Sequence, residues 1–110
     1  MIEAVGEKYW PSYFTTLKNR LAEGGRAVVQ AITVQDSYFD IYRRGSDYIR
    51  QYTFPGGMLL SDAVIAEQAH RAGLQVRDNF AFGQDYAQTC RLWADRLRHQ
   101  TSKVLSLIHI

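Results

Sequence analysis

Cysteine is almost absent from this chain: Cys90 is the only one in 110 residues. No intrachain disulfide can form, and a reducing compartment is the simpler setting. Proline is nearly as rare, with two. No apolar run approaches the roughly 20 residues that cross a bilayer as a helix. The opening MIEAVGEKYW has no basic segment followed by an apolar stretch, so it does not read as a signal peptide. A dominant charge is missing too. Thirteen basic and eleven acidic side chains leave a formal +2, too little to argue for nucleic acid and enough only for weak attraction to anionic headgroups. There is no internal repeat, no low-complexity segment and no metal-ligand spacing, and His70 stands without a partner in sequence. What remains is 46% hydrophobic and 22% charged, the balance of one globular domain.

Pro11, Tyr13, Phe14, Leu17 and Leu21 predict an amphipathic helix with proline in its first turn, stopped by Gly24 and Gly25. Next, RAVVQAITV (26–34) places apolar residues on both alternating sets. Its β-branched residues favour a strand buried on both faces, as in a parallel sheet. The stretch from Ser37 to Phe54 mixes aromatics and arginines without a clean period, and a helix is expected near 46–53, capped by Ser46. Pro55, Gly56 and Gly57 predict a turn. Ser61 is a cap for a helix carrying Val64, Ile65, Ala69 and Ala72, ended by Gly73. LQVRDNFAF (74–82) alternates as a second strand, with Asp78 breaking the pattern. A last helix presents Tyr86, Cys90, Trp93 and Leu97, and Cys90 on that stripe reads as a small buried hydrophobe. Helices alternating with strands predict an α/β layer with a mainly parallel sheet. Two strands make a poor sheet by themselves.

Four segments, in order, carry a resemblance: MIEAVG (1–6) followed by Tyr13 and Phe14; VVQAIT (28–33); YIRQYTFPGG (48–57) with Ser61 beyond; and FGQDYAQTCRLW (82–93). Together they resemble the cyclopropane-fatty-acyl-phospholipid synthase family over roughly residues 1–100. The resemblance implies a Rossmann-like, class I S-adenosylmethionine methyltransferase fold, of which this chain is expected to be an incomplete, C-terminal portion. In such sheets the ligand lies at the carboxyl ends of the strands. The family's glycine-rich cofactor turn is not found: Gly24–Gly25 ends a helical pattern and Gly56–Gly57 follows proline. Residues 1–104 are therefore expected to be part of a methyltransferase domain truncated at both ends, with no cofactor-binding residue and no metal ligand. LSLIHI (105–110) is a translation of CTGTCTCTTATACACATC, a string similar to the end of a transposase-based sequencing adapter, and is expected to be an adapter-derived tail.

By resemblance, the reaction moves a methyl(ene) group from S-adenosylmethionine to the cis double bond of an unsaturated phospholipid acyl chain. A bound bicarbonate then acts as the base. A buried anion needs a hydrogen-bond partner on each oxygen. Glu3 matches the family's glutamate that accepts from the bicarbonate hydroxyl. Ile32 matches the residue whose backbone N–H holds the ion, with its side chain in the core. Gln30 stands where well-known members carry histidine. It offers two donors and an acceptor, but it cannot change charge near neutral pH. The departure puts histidine-dependent proton movement in doubt and points to a methyl-branched or methylene product as an alternative to the ring. Without the resemblance, Glu3 reads as a solvated acid near a helix start, and Gln30 as an amide bonded to nearby backbone.

The aromatics Tyr38, Phe39, Tyr42, Tyr48, Tyr52 and Phe54 suit an acyl channel or a cation's surroundings, but plain core is the more ordinary reading and none is given a catalytic role. Arg43, Arg44 and Arg50 suit phosphate headgroups, with a solvated face as the more ordinary reading. The implied partners are phospholipid acyl chains at the membrane surface, reached from the cytoplasm at the inner membrane face. The segment alone is expected to be inactive. Two other readings stay open: a related methyltransferase acting on a small molecule such as an amine, and an α/β interaction module with no catalysis.

Overall fold

A computed structural model describes residues 1–108 of the chain. They fall into two units, Met1–Arg77 and a second that begins at Asp78.

In the first unit the order is α1 (Ile2–Val5), a 3-10 turn (Glu7–Tyr9), α2 (Trp10–Arg20), β1 (Thr33–Val34), α3 (Asp36–Arg44), a π-helical turn (Ile49–Thr53), β2 (Leu60–Ser61) and α4 (Asp62–Arg71). Helix α2 forms where the periodicity places it, with Pro11 in its first turn and Trp10 and Phe14 buried. It ends at Arg20, a turn before the glycines, because Leu21 turns extended. Helix α4 starts as its cap dictates: the Ser61 hydroxyl accepts from the Val64 N–H at 3.3 Å. Its end carries Gly73 at φ 83°, a left-handed position that glycine occupies without strain.

The core joins these elements. Ile2, Trp10, Phe14, Phe39, Met58, Leu60 and Ala69 are buried together. Trp10 and Phe39 pack with ring centroids 6.4 Å apart. Val5, Leu17, Ala31, Val34, Val64 and Ile65 close around them.

The two expected strands are the main correction. Of 26–34, only Thr33 and Val34 pair, in parallel with Leu60 and Ser61. Segment 74–82 forms no strand at all. β-branching and alternation make a segment fit a sheet, but the ladder needs a neighbour on at least one side. Among the described residues only β2, a strand the sequence pattern did not mark, supplies one. Val28 is consequently 98% exposed and Ile32, expected in the core, 59%. The helix expected at 46–53 is a π-helical turn, and Ser46 is not its cap: Asp47 accepts from the Arg50 N–H at 2.9 Å. The regular helix of this region, α3, lies earlier. What stands is a mixed α/β unit with one short parallel pair.

The second unit holds α5 (Gly83–His99) and α6 (Thr101–Ile108). Tyr86 and Trp93 meet edge to face at 6.1 Å on α5. Cys90 is exposed, against the buried reading. Helical spacing defines a stripe but not what covers it, and Trp93 and Leu97 on the same stripe are also exposed. The expected tail 105–110 begins inside α6, and its last two residues lie outside the described residues. No helix among the described residues is long and apolar enough to cross a membrane.

Candidate functional site

Glu3 lies in the first turn of α1, anchored on one side by the buried Ile2. Its side chain and main chain point the first family-like segment at two others. The carboxylate Oε1 accepts from the Ile32 N–H at 2.7 Å, across 29 residues of sequence. The Glu3 carbonyl accepts from the Met58 N–H at 2.8 Å, just past the PGG turn. One residue thus ties IEAVG to VVQAIT and to FPGG. The second carboxylate oxygen, Oε2, accepts from the Met1 ammonium at 3.1 Å.

These contacts set the charge state. Burial pushes the Glu3 carboxyl up, but hydrogen bonds from the Ile32 N–H, its own N–H and the Met1 ammonium outweigh it. The group is held below its ordinary value of 4.5 and is an anion at neutral pH. A fixed carboxylate beside a main-chain N–H is chemically an acceptor beside a donor, the two functions needed to hold an ion that has both a hydroxyl and anionic oxygens.

Of the three residues expected to form the site, Glu3 and Ile32 are brought into direct contact. The N–H expected to face a bound anion is donated to Glu3 itself. Gln30, two residues before Ile32, is exposed, and the hydrogen bonds among the described residues do not include its side chain. The groove of about 740 Å³ beside α1 and α2 is lined by Val5, Tyr9, Tyr13 and Leu17, without Glu3.

The aromatic and arginine candidates separate. Phe39 is core; Tyr38, Tyr48, Tyr52 and Phe54 are exposed, so plain core does not describe them. Arg43 pairs with Glu7. Arg50 is not a solvated cation. Its guanidinium lies 3.9 Å from the centroid of the Tyr42 ring, donates to the Tyr42 carbonyl at 2.8 Å and reaches Asp47 at 2.7 Å. The Tyr42 hydroxyl in turn accepts from the Leu59 N–H at 3.0 Å, fixing the chain just before β2. Pattern reading missed this group, as it missed Asp36, whose carboxylate accepts from the Ala63 N–H at 3.0 Å and so caps α4 from α3. Acidic and basic residues three apart, Asp47 and Arg50, were the available signal for the first; nothing local marks the second.

Residues 1–109 match the family model described as mycolic acid cyclopropane synthetase, and the chain belongs to that family. It is 39% identical over 97 residues to tuberculostearic acid methyltransferase UfaA1 of Mycobacterium tuberculosis, covering 87% of this chain and 23% of that protein. Over 97 residues it is 32% identical to "Probable fatty acid methyltransferase Rv3720" of the same organism, covering 88% of this chain and 22% of the relative. Hydroxymycolate synthase MmaA4, also from M. tuberculosis, is 25% identical over 115 residues, covering 96% and 38%. The chain therefore spans under a quarter of the length of the first two relatives. No solved structure matches it.

Proposed function

We propose that this chain carries the anion-holding part of an S-adenosylmethionine-dependent methyltransferase that acts on the cis double bond of an unsaturated lipid acyl chain. The observation that carries this reading is the Glu3 carboxylate on the Ile32 N–H, with the same residue's carbonyl on Met58. Three family-like segments, far apart in sequence, meet at Glu3, one through its ionised carboxylate and the Ile32 N–H, the other through its carbonyl and the Met58 N–H.

In this reading bicarbonate is held by Glu3, the Ile32 N–H and Gln30, and when bound it supplies the base that takes a proton from the methylated acyl chain. Glu3 accepts from the ion's hydroxyl, and for that its carboxylate gives up the Ile32 N–H. Gln30, uncharged at every pH of interest, contributes hydrogen bonds and moves no proton. S-adenosylmethionine supplies the methyl group. The 110 residues contain no glycine-rich turn that fits it, so no residue of this chain is assigned to it. The lipid is reached at the membrane surface from the cytoplasmic side, and the Rossmann-like sheet is completed by residues beyond those described.

A methyl-branched product is the second reading. Glutamine at position 30, where well-known members carry histidine, favours it, and the two relatives above 30% identity are named as a tuberculostearic acid methyltransferase and a probable fatty acid methyltransferase.

The test is Glu3→Gln in the whole protein that carries this segment, assayed for S-adenosylmethionine-dependent mass gain in phospholipid acyl chains with and without added bicarbonate. Losing a hydrogen bond to a charged group, about 1.5–3 kcal/mol, lowers kcat by about 10–10². The expected variant is slow and insensitive to bicarbonate. An unchanged rate that still responds to bicarbonate would remove Glu3 from the site.

A further inference from the structure

The Glu3 carboxylate can meet the Ile32 N–H only if α1 sits at one depth against the turn at Pro55–Gly57. Two glycines set that depth. Gly6, buried at the end of α1, adopts φ 79° and ψ 159°, a conformation almost confined to glycine. A Cβ there would stand 2.6 Å from the Gly56 carbonyl oxygen, so backbone would have to move. Gly57 makes the reciprocal approach: a Cβ there would lie 3.1 Å from the Glu3 carbonyl oxygen and 3.0 Å from that of Phe54. The Met58 N–H bond to Glu3 locks the two together at 2.8 Å. Gly24 and Gly56 also have positive φ, 71° and 80°, but a Cβ on either meets nothing within 4 Å. Gly25 is also crowded, 2.8 Å from the Ala22 carbonyl oxygen, but within its own turn; the close approaches between α1 and the PGG turn are those of Gly6 to Gly56 and of Gly57 to Glu3.

We infer that Gly6 and Gly57 are positioning residues for Glu3: their missing side chains let the PGG turn close onto α1 and fix the carboxylate against the Ile32 N–H. The catalytic meaning of that position rests on the function proposed above; the interlock itself does not. Gly6→Ala pushes the turn away and carries α1 with it. Gly57→Ala, a smaller intrusion with no left-handed backbone to strain, displaces Glu3 less. Both act on Ile32 without touching it.

The experiment is amide hydrogen exchange of the 110-residue chain at low micromolar concentration, resolved at Ile32, for the native chain and for Gly6→Ala, Gly57→Ala, Glu3→Ala and Gly24→Ala. Amides of Phe14 and Ala69 report whether the core is intact. Glu3→Ala should lower Ile32 protection by about tenfold, as loss of one hydrogen bond to a charged group would. The expected result is the same loss in Gly6→Ala, a partial loss in Gly57→Ala, none in Gly24→Ala, and no further loss when Gly6→Ala is added to Glu3→Ala. Should Gly6→Ala also unprotect Phe14 and Ala69, Gly57→Ala decides. Native Ile32 protection in Gly57→Ala, together with faster exchange at Met58, overturns the inference. Added sodium bicarbonate, against chloride at the same pH and ionic strength, separates the two proposals. If it leaves Ile32 exchange unchanged, the interlock is still judged on the glycine variants, and the anion site on Glu3→Gln in the whole protein.

Discussion

At the scale of the residue, Glu3 does most of the organising, through both its carbonyl and its carboxylate. Its depressed pKa has a definite consequence. A carboxyl held lower in the folded chain than in the unfolded one contributes stability above its unfolded value and loses it as pH falls through the folded one. The Glu3–Ile32 contact is therefore expected to be constant at neutral pH and to weaken only on acidification below the ordinary 4.5. The Ile32 amide proton resonance, followed from about pH 6 to pH 2, should move upfield with a single inflection that Glu3→Gln abolishes. A flat Ile32 profile would mean that the carboxylate is not its partner in solution. Glu3 was legible in the sequence only through the family-like motif, since a lone acid in a first turn is ordinary. Gln30 was legible as a departure from that motif, but its exposed place was not. Nor was the Gly6–Gly56 approach, because a glycine's use depends on what comes near it in space and not on its neighbours in sequence.

Among the elements, α2, α4 and α5 could be read because a helix satisfies its own backbone, and its periodicity and caps are local. Helix α3 was missed: of Asp36–Arg44 only Phe39 is buried, with Tyr42 packed against the core beside it. The strands failed for the opposite reason. Their backbone groups need partners elsewhere, and only two residues of 26–34 find them. The cap of α4 offers a direct check. Ser61 is buried, accepts from the Val64 N–H and lies where β2 passes into the helix, beside the Asp36 carboxylate that caps the same turn. The Ala63 N–H and the Ser61 hydroxyl hold Asp36 below the usual carboxylate range. Ser61→Ala removes one cap and leaves the other. It should lower unfolding free energy by about 0.5–2 kcal/mol, as N-cap losses do, read as an earlier midpoint in urea with an unchanged slope. No shift would mean that Asp36 alone suffices. A loss well beyond that range would mean that β2 depends on the same hydroxyl.

For the whole molecule, the telling quantity is apolar surface left in water. Val28 is 98% exposed, Ile32 59% and Val29 37%, on a segment whose composition suits the middle of a sheet. Burying a large aliphatic side chain is worth about 1.5–3 kcal/mol, against a typical net stability of about 5–15 kcal/mol for a domain. Several such side chains beside a two-residue strand form an edge with unmet N–H and C=O groups, and edges of this kind pair with other chains. In the second unit Trp93 and Leu97 add an uncovered stripe on α5. The isolated 110-residue chain is therefore expected to self-associate. Its sedimentation coefficient and light scattering should rise with concentration, and scattering should grow on warming before any cooperative melt. Val28→Lys is the informative variant: that side chain is almost fully exposed and outside the core, so the change leaves folding intact while placing a charge on the sticky segment. It should lower scattering at equal concentration without altering the helical signal in circular dichroism. A monodisperse monomer at high concentration, in the native chain as in Val28→Lys, would mean that 26–32 is covered in solution and that its exposure does not govern the behaviour of the molecule.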